Sequence, residues 1–267
     1  MGLSGLCLTH KLRKMGLTLR SFEKGSDVGG TWYWNRYPGA ACDIESFHYS
    51  FSFSHELEQE WNWSRRYAQQ PELLQYAQHV ADRFDLRRDA CFGTEVRSAV
   101  YDETEQLWVV RTDRGDRVAA QFLMLANGAL SAPAFPNISG TSEFEGLWFH
   151  THDWDATADL RGKRVGVIGT GSTATQCIPE LAKLASRLYI FQRTPAWCAP
   201  RKDAAMDPEE VARIKADYRN YRITGLVQSN GNEGGNAGLT DVLSAAQEAG
   251  FFQAIAEASA GVASGQG

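Results

Sequence analysis

The chain has no apolar run on the order of 18 residues, the length a membrane-spanning helix needs, so no span is expected. Its five cysteines (Cys7, Cys42, Cys91, Cys177 and Cys198) include no CxxC pair, and an odd, scattered set argues for reduced thiols over a disulfide framework. A surplus of one charge is also missing. Lys and Arg number 27 against 32 Asp and Glu, a net −5, which provides no electrostatic reason to expect nucleic acid or an anionic membrane. The opening residues Met1-Gly2-Leu3-Ser4-Gly5-Leu6 lack the charged-then-apolar layout of a signal peptide. These absences together predict a cytoplasmic protein with small-molecule partners and no obligate protein partner. No internal repeat is visible.

What is present suits an α/β protein. With 267 residues, 43% hydrophobic and 22% charged, the chain is long enough for two domains with a real core. Leu6 to Met15 has helical spacing, and Leu17 to Glu23 then reads as a strand. Residues 25–54, rich in Gly, Trp, Tyr, Phe and Ser, form an aromatic-anchored loop. Pro71 to Phe84 is an amphipathic helix with proline near its first turn. Three antiparallel strands follow at Glu95–Val100, Leu107–Thr112 and Arg117–Ala126, with a turn at Asp113-Arg114-Gly115. Pro133 and Pro136 mark a boundary. Lys163–Ile168 is a buried strand, a helix extends to about Ser186 despite Pro179, and Arg187–Gln192 is a second strand. Another helix is expected at Asp207–Tyr221 and a weak one at Thr240–Ala258.

The sharpest chemical signal is Gly169-x-Gly171-x-x-Ala174, set between a strand and a helix. The first glycine permits a tight turn, and the second lets a pyrophosphate approach the backbone. The small third residue lets helix and strand pack closely, while the helix N-terminus offers free N–H donors and a positive dipole end. Ser172 and Thr173 lie in that first turn. An NAD site would end its second strand on a carboxylate that binds the ribose 2′-hydroxyl. This strand ends Phe191-Gln192-Arg193-Thr194, and Arg193 with Thr194 suits a 2′-phosphate, which favours NADP. A solvated surface arginine is the alternative.

A second, partial unit opens the chain. Gly2 and Gly5 stand at a helix start like the end of a glycine-rich phosphate loop; the loop's first glycine and preceding strand are absent, so Met1 is expected to lie inside the motif. Glu23, 18 positions after Gly5, is placed to bind a ribose with a free 2′-hydroxyl, as in FAD or NAD. Gly29-Gly30-Thr31-Trp32 follows, and paired glycines suit close passage of backbone beside a phosphate or ring. Two dinucleotide folds, one choosing a plain ribose and the other a 2′-phosphate, suggest an FAD domain hosting an NADPH domain. Asp43 and Glu45 lie in the aromatic loop; a solvated carboxylate is the default, and a buried aspartate beside a flavin the functional alternative. His150 and His152 at i and i+2 would point opposite ways on a strand with no further ligands nearby, so no metal is expected.

Several stretches together resemble the Baeyer–Villiger monooxygenases, class B flavoprotein monooxygenases. Phe144-x-Gly146-x-x-x-His150-x-x-x-Trp154-Asp155 matches that family's FxGxxxHxxxW signature, directly before the second unit's strand. Gly29 to Ala40, Cys42 to Ser46, Glu60-Trp61-Asn62-Trp63 and Phe191 to Pro195 are also similar. The resemblance covers roughly residues 1–222 and is nearest to the phenylacetone, cyclohexanone and steroid monooxygenases.

The resemblance implies two Rossmann-like, three-layer dinucleotide-binding domains with a small antiparallel insertion. These are an FAD-binding domain over 1–140 (lacking its first strand and C-terminal return), a signature linker over 141–160 and an incomplete NADP-binding domain over 161–222. A helical or flexible tail occupies 223–267. It further implies an enzyme that uses NADPH, FAD and O2 to convert ketones to esters or lactones through a C4a-peroxyflavin. In that scheme Asp43 lies by the flavin and pairs with an arginine from a segment beyond this chain, while His150 and Trp154 couple the two domains. Two alternatives stand beside it. One is a related N- or S-oxygenating flavin monooxygenase, and the other is an inactive fragment, truncated at both ends, that retains only nucleotide binding.

Overall fold

The computed structural model describes residues 1–229. Helix α1 (Leu3–Lys14) buries Gly5, Leu6 and Thr9 on one face, and Lys11, Arg13 and Lys14 in its last turn complement the negative end of the dipole. Strand β1 (Ser21–Phe22) is far shorter than the Leu17–Glu23 expected, because only these two residues find a ladder partner. That partner is β2 (Ala90–Cys91), paired in parallel at Ser21↔Ala90 and Phe22↔Cys91, a strand too short to show a period in the sequence. The long crossover between them carries α2 (Thr31–Trp34), α3 (His55–Glu60) and α4 (Gln70–Arg83). Ser54 caps α3 by accepting from Leu57 N at 3.3 Å.

Helix α4 makes the core. Leu73, Tyr76, Ala77, Val80 and Ala81 recur at helical spacing and are all buried, against Leu6, Phe47, Leu57 and Trp63. Full burial of each large side chain contributes roughly 1.5–3 kcal/mol before entropy is counted. The aromatic loop is anchored here: Tyr76 Oη accepts from Phe51 N at 2.8 Å, and the Trp61 and Trp63 rings lie 5.2 and 4.9 Å from the Tyr76 ring.

Strands β3 (Val96–Asp102), β4 (Leu107–Thr112) and β5 (Arg117–Ala120) form the antiparallel insertion, with Val100↔Val109 and Val110↔Val118 in register. The third ends six residues earlier than expected, pairing only as far as Ala120. Strands β6 (Arg164–Ile168) and β7 (Arg187–Phe191) pair in parallel across α5 (Ser172–Leu184), the βαβ opening expected from the sequence. The helix runs through Pro179, whose missing N–H withholds the donor that would otherwise reach Thr175 O.

The helix expected at Asp207–Tyr221 is instead two, α6 (Pro208–Ala216) and α7 (Tyr218–Ser229). Asp207 caps the first through Glu209 N at 3.0 Å, and Asp217 breaks the run at φ −144°, ψ 58°. The chain here returns to the first unit. Ile214 and Tyr218 enter its core, Arg65 pairs with Asp203, and Arg66 with Glu210. Arg222, only 9% exposed, donates to Glu58 and to the carbonyls of Ser50 and Phe51. The expected helix at Thr240–Ala258 lies outside the described residues. The α/β class with an antiparallel insertion is thus observed, with two strands in each parallel sheet.

Candidate functional site

The two glycine loops are built differently. At the second, Gly169 adopts φ +101°, a conformation only glycine holds without strain, and its N–H is tied to Phe191 O at 2.9 Å. Nothing lies within 4 Å of a Cβ placed at Gly169 or Gly171, so the mouth of the loop is open. No side chain caps α5 at Gly171, which leaves its first N–H groups free, and Ala174 is buried against the strands as close packing requires. Ser172 is exposed and Thr173 half-buried. Gln192 bridges from the end of β7 to Thr170 Oγ1 at 2.9 Å. Arg193 and Thr194 are both exposed beyond β7, and Arg193 has no hydrogen bond or ion pair among the described residues.

At the first loop, backbone meets backbone. Gly2 is the N-cap of α1, without a side-chain cap, and Gly29 N donates to Met1 O at 2.8 Å. Gly30 has φ +53°, and a Cβ there would lie 2.5 Å from Gly2 Cα, so no other residue fits. Gly5 faces Met1, with 3.6 Å between its notional Cβ and Met1 Cγ. Glu23 accepts from Gly25 N at 2.6 Å and meets the Met1 amino group. Asp27 holds the turn: it accepts from Val28 N, Gln78 Nε2 and Arg87 Nε at 2.8, 2.8 and 2.9 Å. Burial alone would raise the Asp27 carboxyl, but the bonds from Arg87, Gln78 and Val28 outweigh it and hold the group below its ordinary range. Thr31 opens α2, and Trp32 beside it is buried with its indole N–H on Tyr49 Oη at 3.2 Å.

Asp43 joins the two units. Its Oδ2 accepts from Ser172 Oγ at 2.6 Å, in the first turn of α5, and its Oδ1 from Gln176 Nε2 at 2.9 Å and Arg201 Nη1 at 3.1 Å. The side chain is 54% exposed, so the buried aspartate entertained from the sequence is here a hydrogen-bonded but solvent-facing one. The Arg201 guanidinium also donates to Cys42 O at 3.1 Å and lies over the Tyr67 ring. Burial pushes the Cys42 thiol up to about 12, so it stays protonated beside this cluster and is no nucleophile at neutral pH.

His150 and Trp154 lie in the connector. The two histidines do not sit on a strand: Thr151–Asp153 is a single 3₁₀ turn, with His150 Nδ1 accepting from His152 N at 3.0 Å. His150 meets Phe135 edge-on at 5.3 Å, and Trp154 packs beside Tyr37, Ala40, Cys177 and Leu181. His152 is the buried member, stacked 6.1 Å from Trp34 of the first unit. Sequence reasoning did not single out Gln176 or Tyr37 and weighed His152 only as a metal ligand, since the partners that matter lie over 100 residues away. Among the described residues no group of three or more His, Cys, Asp or Glu is arranged to hold a metal. No helix among them is long and apolar enough to cross a membrane.

Two parallel strand–helix units, each opening on a glycine turn and an uncapped helix end, define a dinucleotide-dependent oxidoreductase. Residues 2–236 match the pyridine nucleotide–disulphide oxidoreductase family. A phenazine N-monooxygenase of Lysobacter antibioticus is 44% identical over 230 residues, 83% of this chain and 42% of that protein. A Baeyer–Villiger monooxygenase of Pseudooceanicola batsensis is 46% identical over 220 residues, 82% of this chain and 40% of that protein. Among solved structures, oxidized steroid monooxygenase bound to NADP superposes with TM-score 0.79 at 53% identity, covering 83% of this chain and 43% of that one. A structure described as OTEMO in complex with FAD and NADP does so with TM-score 0.78 at 41% identity, covering 82% and 42%. The chain belongs to the pyridine nucleotide–disulphide oxidoreductase family and, within it, to the Baeyer–Villiger monooxygenases, as its signature implied. It spans about 40% of the length of the curated relatives it matches.

Proposed function

We propose that these residues form the two dinucleotide-binding units of an FAD- and NADPH-dependent monooxygenase that converts a ketone, O2, NADPH and a proton into an ester or lactone, water and NADP⁺. The observation that carries the reading is Asp43, a residue of the first unit, hydrogen-bonded at 2.6 Å to Ser172 in the first turn of the second unit's nucleotide loop. The first unit spans 1–140 and the second begins at 161 after the 141–160 connector, while the stretch from Asp203 to Arg222 packs back on the first. Bound NADPH would supply hydride and bound FAD would activate oxygen.

The residues present fit both groups. Gly169 and Gly171 face open space before an uncapped helix, which suits a pyrophosphate, with Ser172, Thr173 and Ala174 forming the first turn. Arg193, which has no polar partner among the described residues, stands at the strand end beside Thr194 and would meet a 2′-phosphate. In the first unit, Gly2 and Gly5 would bring backbone to the FAD pyrophosphate, and Glu23, which here accepts from Gly25 N, would take the ribose. Gly29, Gly30, Thr31 and Trp32 wall the flavin side. Asp43 orients groups between the two units, and His150 and Trp154 govern how the units close without touching the reacting atoms.

Titration of the chain with FAD, NADP⁺ and NAD⁺, followed by a product assay on cyclohexanone, tests this. FAD binding and a preference for NADP⁺ over NAD⁺ of about tenfold or more are expected of these residues, and ester formation only where the arginine that the family resemblance pairs with Asp43 is also supplied. Failure to bind either dinucleotide would sink the reading. The similarity to a phenazine N-monooxygenase favours a second one, oxygenation of nitrogen or sulfur. N-oxide or sulfoxide from an amine or thioether, with cyclohexanone untouched, selects it. Nucleotide binding with no oxygenation of either selects a binding module.

A further inference from the structure

Gln176 lies one turn beyond Ser172 on α5, and the two side chains therefore share a helix face. All its amide hydrogen bonds go to residues 37–43 of the first unit. Tyr37 Oη and Ala41 N donate to Oε1 at 2.9 and 3.2 Å, while Nε2 donates to Ala41 O at 3.0 Å and Asp43 Oδ1 at 2.9 Å. Both N–H groups and both lone pairs of the carboxamide are used, so no other side chain reproduces the set. The backbones are also closely fitted: Gly39 has φ +82°, and a Cβ there would lie 2.3 Å from Gln176 O.

We infer that Gln176 is a positioning residue that holds Asp43 against the mouth of the second glycine loop, so that seating of a dinucleotide there and the orientation of Asp43 are coupled. Backbone bonds from Cys42 N to Ala68 O at 3.0 Å and from Gln70 N to Ala40 O at 2.8 Å tie the loop at its root, but the Asp43 side chain is solvent-facing, and its remaining partners are a serine hydroxyl and the long Arg201 side chain. The carboxamide adds a fixed point for that side chain, because it also grips the Ala41 backbone at both its N–H and its C=O. The coupling half of the inference rests on the dinucleotide reading given above; the clasp itself does not. A methionine at 176 keeps the volume and loses every bond. A glutamate keeps the acceptors, loses the donors and sets a second carboxylate beside Asp43.

The test compares wild type, Gln176→Met, Gln176→Glu and the paired swap Gln176→Glu with Asp43→Asn, in which the donor and acceptor exchange places. Hydrogen exchange is read at the Ala41 amide, with the β3–β5 amides as the control for folding, and NADP⁺ affinity is read by calorimetry. Exchange at Ala41 should rise tenfold or more in Gln176→Met with the β3–β5 amides unchanged, and both single variants should bind NADP⁺ roughly tenfold more weakly. The swap should return affinity to within about threefold of wild type, a rescue that loss of packing would not produce. Unchanged exchange at Ala41 overturns the clasp. Released exchange with unchanged NADP⁺ affinity, or a swap no better than Gln176→Glu, overturns the coupling. If wild type protects Ala41 but binds no NADP⁺, the dinucleotide reading fails and the coupling fails with it, while the clasp stands.

Discussion

The first unit and the second are held together by different physics. The first, together with Ile214 and Tyr218 of the returning helices, buries seventeen apolar side chains in one cluster, including Leu6, Phe47, Leu57, Leu73, Tyr76 and Val80. The second buries Cys177 and Leu181 against Tyr37 and Ala40 of its neighbour, while Ile168, Ile190 and Phe191 on its strands are about half exposed. What the second unit lacks in core it makes up in directional polar contacts, from Gln176, Ser172 and Arg201 to the 37–43 loop. A core tolerates small errors of register, whereas a hydrogen-bonded clasp specifies one placement. The second unit's position relative to the first is held by the specifying kind of contact.

The sharpest way to break this comparison is to damage the core. Leu73→Ala should cost about 2–5 kcal/mol in urea unfolding, because the site is enclosed and cannot collapse. A loss below about 1 kcal/mol would mean that the first unit is less consolidated than its burial implies. Next, if Arg193 meets the 2′-phosphate as proposed, Arg193→Ala should weaken NADP⁺ roughly tenfold to hundredfold and leave NAD⁺ nearly unchanged, because only a charge-assisted contact to that group is lost. Equal losses for both, read by calorimetry, would return Arg193 to the status of a solvated surface residue.

His150→Ala and Trp154→Ala should leave FAD content near normal while ester formed per NADPH consumed falls several-fold, because both lie in the connector and outside either glycine loop. Loss of flavin on purification would give the signature a folding role instead. A smaller effect belongs to Asp27. Its carboxyl is held below the ordinary 3.8, so its contribution to stability is complete above that pH and is lost as pH falls through the lowered folded value. Asp27→Asn should therefore flatten the acid limb of the stability profile below about pH 4 and lower stability at pH 7. An acid limb identical to wild type would show that the Arg87 bond adds nothing. Smallest of all, Ile190→Thr should change stability by less than about 0.5 kcal/mol, because that side chain is already half exposed.

The local features were legible in residue order because each has a short-range cause. Helices α1, α4 and α5 follow from 3.6-residue spacing, and the β6–α5–β7 unit from a glycine turn between two apolar runs. Gly169 was marked by its neighbours, and its φ of +101° is the reason glycine is needed there. Elements shorter than a period escaped notice, β2 and α2 among them, as did the break at Asp217, where no proline or glycine announces the end of a helix.

What the sequence by itself determined was the family, the two glycine turns, the residue types at each strand end and the connector bearing His150 and Trp154. Only the tertiary structure decided which residues of one unit touch the other. Asp43 meets Ser172 across 129 positions, Tyr37 meets Gln176 across 139, and Arg66 meets Glu210 across 144. No periodicity reaches that far, because such pairs are set by how two packed bodies close on each other. A side chain's partner there depends on the shape of both surfaces, and residue order alone carries neither.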